Sequence, residues 1–87
     1  MSKYTIHVVS QPNCGKCSEL KESLSSKGII YVEHDLSAER SKLLPSLRSW
    51  KVSTTPVIYI QDEDGWICKF YEYTKTGIPD LTPYLGS

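Results

Sequence analysis

The first 34 residues constrain the fold most, because two strand-like runs enclose one amphipathic helix there. Residues 4–9 alternate polar and apolar side chains, which predicts a first strand. Residues 15–27 follow a helical spacing, with Asn13 as the predicted N-cap and Gly28 as the glycine that ends the helix. The β-branched run 29–34 starts directly after that glycine. Strand, helix and strand therefore form a βαβ unit with a parallel strand pair.

The second half of the chain predicts another helix and then a hairpin. Ser37 is the predicted cap of a helix that Pro45 should kink or split. The apolar runs 56–60 and 66–71 are separated by an Asp-Gly turn signal. We expect these two runs to pair as antiparallel strands.

A short final helix completes the predicted order. Pro79 suits the first position of a helix, which continues over residues 80–85. The order βαβαββα predicts an α/β fold with a four-stranded mixed sheet flanked by helices. A chain of 87 residues holds one hydrophobic core, so residues 1–87 are expected to form a single, monomeric domain.

Composition and charge exclude several classes of protein. Ten basic and ten acidic residues cancel, which gives no electrostatic basis for binding nucleic acid or an anionic membrane. The N-terminus alternates in polarity, unlike a signal peptide, and no run reaches the roughly 18 apolar residues of a membrane span. Three cysteines are too few, and odd in number, for a disulfide-stapled secreted domain. We expect a protein of a reducing compartment, most simply the cytoplasm.

Cys14 and Cys17 carry the predicted chemistry. They lie at the start of the first helix, where unpaired N–H groups and the helix dipole favour a thiolate over a thiol. With Lys16 nearby, the pKa of Cys14 should lie below that of a free thiol, which makes Cys14 the nucleophile. Cys17 lies on the apolar face of the helix. Its expected role is to attack the mixed disulfide on Cys14 and close an intramolecular disulfide.

Two other classes of function stay open. A structural zinc site needs four ligands, and beyond the cysteine pair the chain offers only Cys68, His7 and His34, at spacings that match no zinc template. A non-enzymatic interaction module would use the fold alone. In a purely structural interpretation, Cys68 is a buried, unpaired thiol, and His7 and His34 are structural residues whose ring nitrogens are hydrogen-bonded. Trp50 and Trp66 are expected to be packing anchors.

With these residues in place, the chain resembles glutaredoxins, the small branch of the thioredoxin-fold family, over nearly its whole length. Three landmarks carry the resemblance: residues 14–17 after the first strand, 54–56 before the third, and 77–80 before the last helix. The resemblance implies a thioredoxin-like fold. It also implies a thiol–disulfide oxidoreductase that acts on protein disulfides or glutathione mixed disulfides, with glutathione as reducing co-substrate and no metal or organic cofactor.

The resemblance also implies a substrate site. Pro56 would follow a cis peptide bond and face the cysteine pair, and the backbone of Thr55 would bind the cysteinyl unit of the substrate. Gly77 and Asp80 would lie near the γ-glutamyl end of glutathione, where the start of the last helix accepts a carboxylate and Asp80 pairs with the ammonium.

The chain departs from the family pattern at three places. Many glutaredoxins have Pro-Tyr between the cysteines, where this chain has Gly15 and Lys16, and a lysine where this chain has Gln11. A Gly-Gly pair is replaced by Thr76 and Gly77. Gln11 can still donate a hydrogen bond to glutathione, and Lys16 can supply charge. In having a glycine, Gly15, directly after the first cysteine, the chain resembles thioredoxin and virus-encoded or ribonucleotide-reductase-coupled redoxins. This resemblance keeps thioredoxin reductase open as the electron donor and ribonucleotide reductase as the target.

Overall fold

A computed structural model describes residues 4–51 and 54–84 of the chain. Its elements are β1 (Thr5–Ser10), α1 (Gly15–Ser26), β2 (Val32–Asp35), α2 (Arg40–Ser49), β3 (Val57–Gln61), β4 (Ile67–Glu72), α3 (Tyr73–Thr76) and a 3-10 turn (Thr82–Tyr84). The predicted order is confirmed through the hairpin. Within the described ranges, none of the helices is long and apolar enough to cross a membrane.

The four strands form one mixed sheet in the order β2-β1-β3-β4. β1 is parallel to β2 and antiparallel to β3, and β3 and β4 form the expected antiparallel hairpin. Val57 pairs with Val9 on one side and with Glu72 on the other. The end of β1, the start of β3 and the end of β4 therefore meet at one edge of the sheet, here called the Val57 edge.

Helices cover both faces of the sheet. Strand β3 is central, so its residues from Val57 to Ile60 are buried on both faces. The cluster on the α1 face contains Ile6, Val8, Leu20, Leu24, Ile58, Ile60, Tyr73 and Leu81. The cluster on the α2 face contains Val9, Leu36, Leu43, Leu47, Val57 and Tyr59. Alternate residues of β1 and β3 thus supply the two halves of the core.

Both ends of α1 are fixed by local geometry. The N-cap is Cys14, with extended φ and ψ of −109° and 105°, so the prediction of Asn13 as N-cap was wrong. Asn13 instead takes a left-handed turn with φ of 58°. At the other end Gly28 has φ of 72°, and the N–H of Ile29 donates to the Leu24 carbonyl at 3.0 Å. This Schellman motif confirms the glycine-ended helix.

Helix α2 differs from its prediction at two points. Its N-cap is Glu39, and Ser37 instead donates its N–H and hydroxyl to Asp35 Oδ1 at 2.9 and 2.7 Å. The helix also runs unbroken through Pro45 to Ser49, so the expected split was wrong. Pro45 is exposed and removes one backbone hydrogen bond, while buried leucines on either side of it hold the helix against the sheet.

Two other elements are shorter than predicted. β2 starts at Val32 rather than at residue 29, because the N–H of Ile29 closes the end of α1 and Ile30 is 90 % exposed. Of the final helix predicted over residues 80–85, the structure contains the 3-10 turn Thr82–Tyr84. Residues 77–81 lie outside any helix, and the buried side chain of Leu81 holds this segment against the α1-face cluster. Leu85, the last residue of that prediction, lies outside the described residues.

Of three single residues expected to be buried or packed, two are exposed and one packs as predicted. Cys68 is exposed rather than buried, because the register shift opposite Ile60 and Gln61 leaves it as the extra residue of a bulge. Trp66 is 74 % exposed and is not a packing anchor. Trp50 does pack, with its ring centroid 4.9 Å from that of Phe70.

His7 and His34 are confirmed as bonded structural residues. His7 Nδ1 and His34 Nε2 are 2.8 Å apart, and His34 Nδ1 lies 3.2 Å from both Glu39 carboxylate oxygens. His7 Nε2 donates to Gln61 Oε1 at 2.9 Å. Burial is the main cause that lowers the pKa of His7. The two rings therefore link β1, β2, β3 and the start of α2.

Candidate active site

The Cys-x-x-Cys segment lies at the Val57 edge, where the chain leaves β1 and enters α1. Cys14 is the N-cap, and its Sγ accepts a hydrogen bond from the backbone N–H of Cys17 at 3.2 Å. The Cys14 carbonyl accepts the next N–H, from Ser18, also at 3.2 Å. A thiolate at Cys14 would therefore receive both a direct donor and the positive end of the helix dipole.

Cys14 and Cys17 form a disulfide, with their Cα atoms 5.2 Å apart. Their exposure differs sharply. Cys14 is partly exposed, whereas Cys17 lies on the buried side of α1 and is 1 % exposed. An external disulfide can thus reach the sulfur of Cys14 but not that of Cys17.

The loop before β3 lies directly against Cys14. The Cys14 sulfur is 3.6 Å from the Thr55 hydroxyl and 3.9 Å from the Thr55 carbonyl oxygen. The Thr55–Pro56 peptide bond is cis, as the family resemblance implied. Pro56 itself is buried. Antiparallel pairing of β1 with β3 explains this contact, because it brings the loop that follows β1 beside the loop that precedes β3.

Residues at the junction of β4 and α3 hydrogen-bond to this loop and stabilise its position. The N–H of Tyr73 donates to the Pro56 carbonyl at 3.2 Å, and the Thr54 hydroxyl donates to Glu72 Oε2 at 3.0 Å. The Thr54 and Thr74 hydroxyls are 2.9 Å apart. These contacts were not predicted from the sequence, although the predicted antiparallel hairpin places the end of β4 opposite residues 54–56.

Lys16 has a partner one turn along the helix. Its ammonium lies 3.7 Å from Glu19 Oε2, and both side chains are more than half exposed. The other oxygen, Glu19 Oε1, accepts a 2.6 Å hydrogen bond from the Tyr73 hydroxyl, which raises the pKa of Tyr73. The spacing of Lys16 and Glu19 could have indicated the ion pair. No sequence signal pointed to Tyr73.

The remaining predicted substrate residues are placed as follows. Gln11 is exposed in the turn before Cys14. Gly77 follows α3 with φ of 67° and is partly buried, and Asp80 is exposed. The helix start expected around Asp80 is not formed, so the helix N–H donors assigned to that position were wrong. Across residues 4–51 and 54–84, no cluster of three or more His, Cys, Asp or Glu side chains could hold a metal ion.

The sheet order, the cysteine pair at a helix start and the cis-proline loop define a thioredoxin-like redox protein. Two solved structures agree: the thioredoxin-like protein BC3987 has 25 % identity and a TM-score of 0.56 over 82 % of this chain and 93 % of its own. A mutant of the same protein has 24 % identity and a TM-score of 0.57 over 94 % of this chain and 100 % of its own.

The family follows from the sequence match. The glutaredoxin family model matches residues 4–64, and the chain belongs to the glutaredoxin family. No curated protein matches the chain significantly. Membership of this family, together with the Cys14–Cys17 pair, makes the protein a thiol–disulfide oxidoreductase.

Proposed function

We propose that the protein reduces protein disulfides or glutathione mixed disulfides through Cys14, resolves the intermediate with Cys17, and is recharged by glutathione. One observation supports the assignment of roles. Cys14 is partly exposed and its sulfur accepts the Cys17 N–H at 3.2 Å, while Cys17 is 1 % exposed. The accessible, stabilised sulfur is the nucleophile, and the buried one resolves.

The exchange balances without any other group. The Cys14 thiolate attacks one sulfur of the substrate disulfide, forms a mixed disulfide and releases the first substrate thiolate, which takes up a proton. The Cys17 sulfur then loses its proton and attacks the Cys14 sulfur. The second substrate thiol leaves, and the Cys14–Cys17 disulfide remains. Glutathione thiolates reduce that disulfide in two further exchanges and are oxidised to glutathione disulfide.

The substrate would bind along the loop beside Cys14. The Thr55 backbone, preceding buried Pro56, is the proposed partner for the cysteinyl unit, since its carbonyl lies 3.9 Å from the reacting sulfur. Gln11 and Lys16 are proposed contacts for the carboxylates of glutathione. For the γ-glutamyl end we keep two residues as proposed contacts, Gly77 and Asp80.

Recharge by glutathione is testable against its alternative, thioredoxin reductase. The two electron donors are compared by NADPH consumption, with glutathione plus glutathione reductase in one arm and thioredoxin reductase in the other. We expect faster turnover with glutathione. Turnover only with thioredoxin reductase would replace glutathione as the donor. Ribonucleotide reductase is a candidate disulfide substrate for the same assay. The proposed location is the reducing cytoplasm, and the small, odd number of cysteines supports it.

Three cysteine variants test the roles. Cys14→Ser should lose both disulfide reduction and deglutathionylation, and Cys17→Ser should lose the first but keep the second. Cys68→Ser is the matched control, because Cys68 is a free thiol in the β4 bulge, and its activities should equal those of the wild type. Retained activity in Cys14→Ser would reject the mechanism, whereas a wild-type protein that lacks both activities would favour a module that uses the fold alone. Zinc bound stoichiometrically by the purified protein would favour the metal-binding alternative.

A further inference from the structure

A chain of contacts runs from the substrate loop to the residue between the cysteines. The N–H of Tyr73 donates to the Pro56 carbonyl at 3.2 Å, and the Tyr73 hydroxyl donates to Glu19 Oε1 at 2.6 Å. Glu19 Oε2 lies 3.7 Å from the ammonium of Lys16. Tyr73 is 9 % exposed and belongs to the α1-face cluster, so one end of this chain is anchored in the core.

We infer that Glu19 is a positioning residue that draws the Lys16 ammonium away from Cys14 and offsets its charge, with Tyr73 holding the carboxylate in place. The inference rests on the proposed function only in taking Cys14 as the reacting thiol. It explains why the Lys16 ammonium stabilises the Cys14 thiolate less than an unpaired ammonium at that position would.

The ion pair has a direction along the helix. Cys14 is the N-cap of α1, and Glu19 lies one turn beyond Lys16 towards the C-terminus of the helix. An ammonium bound to Glu19 is therefore held by a residue that follows Lys16 along the helix, whereas Cys14 precedes it. The carboxylate also adds a negative charge to the first turns of the helix that Cys14 caps, which disfavours a further negative charge on the thiol.

The hydrogen bond from Tyr73 makes the pair persistent. An exposed Lys–Glu pair is usually weak, because ordering two flexible side chains costs about as much as the attraction provides. Here the short bond from a buried tyrosine already orders the carboxylate. Only the lysine then loses conformational freedom on pairing, so the pair should persist more than an ordinary surface pair.

The consequence is a charge preference at the reacting sulfur. With Glu19 in place, Cys14 should react less readily with anions than it would if the carboxylate were absent. Removing the carboxylate should make the thiolate more abundant at a given pH and improve reaction with anions.

The experiment measures alkylation of reduced protein in a Cys68→Ser background, which removes the exposed free thiol. Rates with neutral iodoacetamide are followed against pH, and rates with anionic iodoacetate are compared at one pH. In Glu19→Gln the released Lys16 ammonium can interact with the Cys14 thiolate, and an exposed pair of opposite charges is worth about 0.2–1 kcal/mol. The variant should therefore speed iodoacetamide alkylation roughly 1.4- to 5-fold below the midpoint of the pH profile. The ratio of iodoacetate rate to iodoacetamide rate should also rise.

The matched control is Glu22→Gln, which removes the same charge from an exposed position further along α1. It should leave the pH profile and the rate ratio unchanged. If Glu19→Gln behaves like Glu22→Gln, the inference is wrong. Far-UV circular dichroism and urea unfolding check that each variant folds, and the exposure of Glu19 favours that result.

Tyr73→Phe tests the second link. It should move the alkylation profile in the same direction as Glu19→Gln but less far, and it should add nothing in a Glu19→Gln background, since Tyr73 acts through the carboxylate. An additional shift in the double variant would assign the effect of Tyr73 to the Pro56 loop and overturn this link.

The role of Lys16 is tested in the same way. Glu19→Gln should have a smaller effect on the rate ratio in a Lys16→Gln background, and an undiminished effect would refute the inference that Glu19 acts by holding the Lys16 ammonium.

The outcome is separable from that of the proposed function. Alkylation reports the thiol itself and needs neither glutathione nor a reductase. A variant series that behaves as expected in a protein without glutathione-dependent turnover would leave the inference standing and reject the electron donor. Peptide mapping that finds Cys17 alkylated before Cys14 would reject the proposed nucleophile, and the inference with it.

Discussion

Replacing Gly28 by alanine isolates a purely conformational contribution to stability. Gly28 has φ of 72°, which places it in the left-handed region, and it follows the last turn of α1. A Cβ atom added there would meet nothing within 4 Å, so the substitution introduces no clash. Any loss of stability must therefore come from the backbone conformation that the Schellman motif requires.

The size of the effect follows from two opposing contributions. A left-handed conformation costs a non-glycine residue roughly 1–2 kcal/mol. Alanine also lowers the conformational entropy of the unfolded chain, which stabilises the folded state by about 0.4–1 kcal/mol. The net expectation is a loss of about 1 kcal/mol, which in a domain of this size lowers Tm by about 4–8 °C.

Gly15→Ala is the matched control. Gly15 is the first residue of α1 and lacks a left-handed φ, and a Cβ added to it would likewise meet nothing within 4 Å. The same change there should stabilise the fold by about 0.4–1 kcal/mol. Both variants are compared with the wild type by thermal and urea unfolding in one redox state. A Gly28→Ala variant at least as stable as the wild type would refute the reasoning.

Three further predictions concern the core, the histidine pair and the loop beside Cys14. Leu24→Ala should cost about 2.7–5 kcal/mol in urea unfolding because Leu24 is fully buried; a loss below about 1 kcal/mol would contradict this packing. Burial lowers the pKa of His7, so the unfolded chain binds the proton more readily: stability should fall as pH drops through about 6.5 and level off below the folded pKa. His7→Gln should remove that part of the pH dependence, and an unchanged slope would exclude His7 as its source. Thr54→Val removes the 3.0 Å bond to Glu72 and the 2.9 Å contact with the Thr74 hydroxyl, and it should cost about 0.5–1.5 kcal/mol; unchanged stability would show that these two contacts do not hold the loop.

Periodicity was sufficient to predict most of the scaffold. The alternation in β1, the leucine spacing in α1 and the glycine at 28 are local signals, and each was confirmed. The cysteine pair is also a local signal, because its meaning depends on the strand before it and the helix after it. The antiparallel hairpin followed from a turn signal between two apolar runs.

The failures came from tertiary contacts that override local preference. Pro45 does not end α2, because buried leucines on the same helix hold it against the sheet. The segment around Asp80 is not helical, and buried Leu81 fixes its position. Cys68 was placed in the interior by its alternation with neighbours, but a bulge in β4 shifts that alternation. Tyr73 reaches Glu19 over a separation of 54 residues, which no local pattern could indicate.

The meeting of three chain segments at the Val57 edge has a consequence for synthesis on the ribosome. The two sulfurs are three residues apart, whereas Cys14 meets Thr55 across a separation of 41 residues. A nascent chain that ends before β3 already carries both thiols and the residues of α1, but not the loop beside them. Until β3 has emerged and paired with β1, the cysteine pair lacks the loop that lies against Cys14 in the folded protein. Along the chain, the two thiols therefore precede the loop that lies beside them, and that contact depends on long-range pairing of β1 with β3.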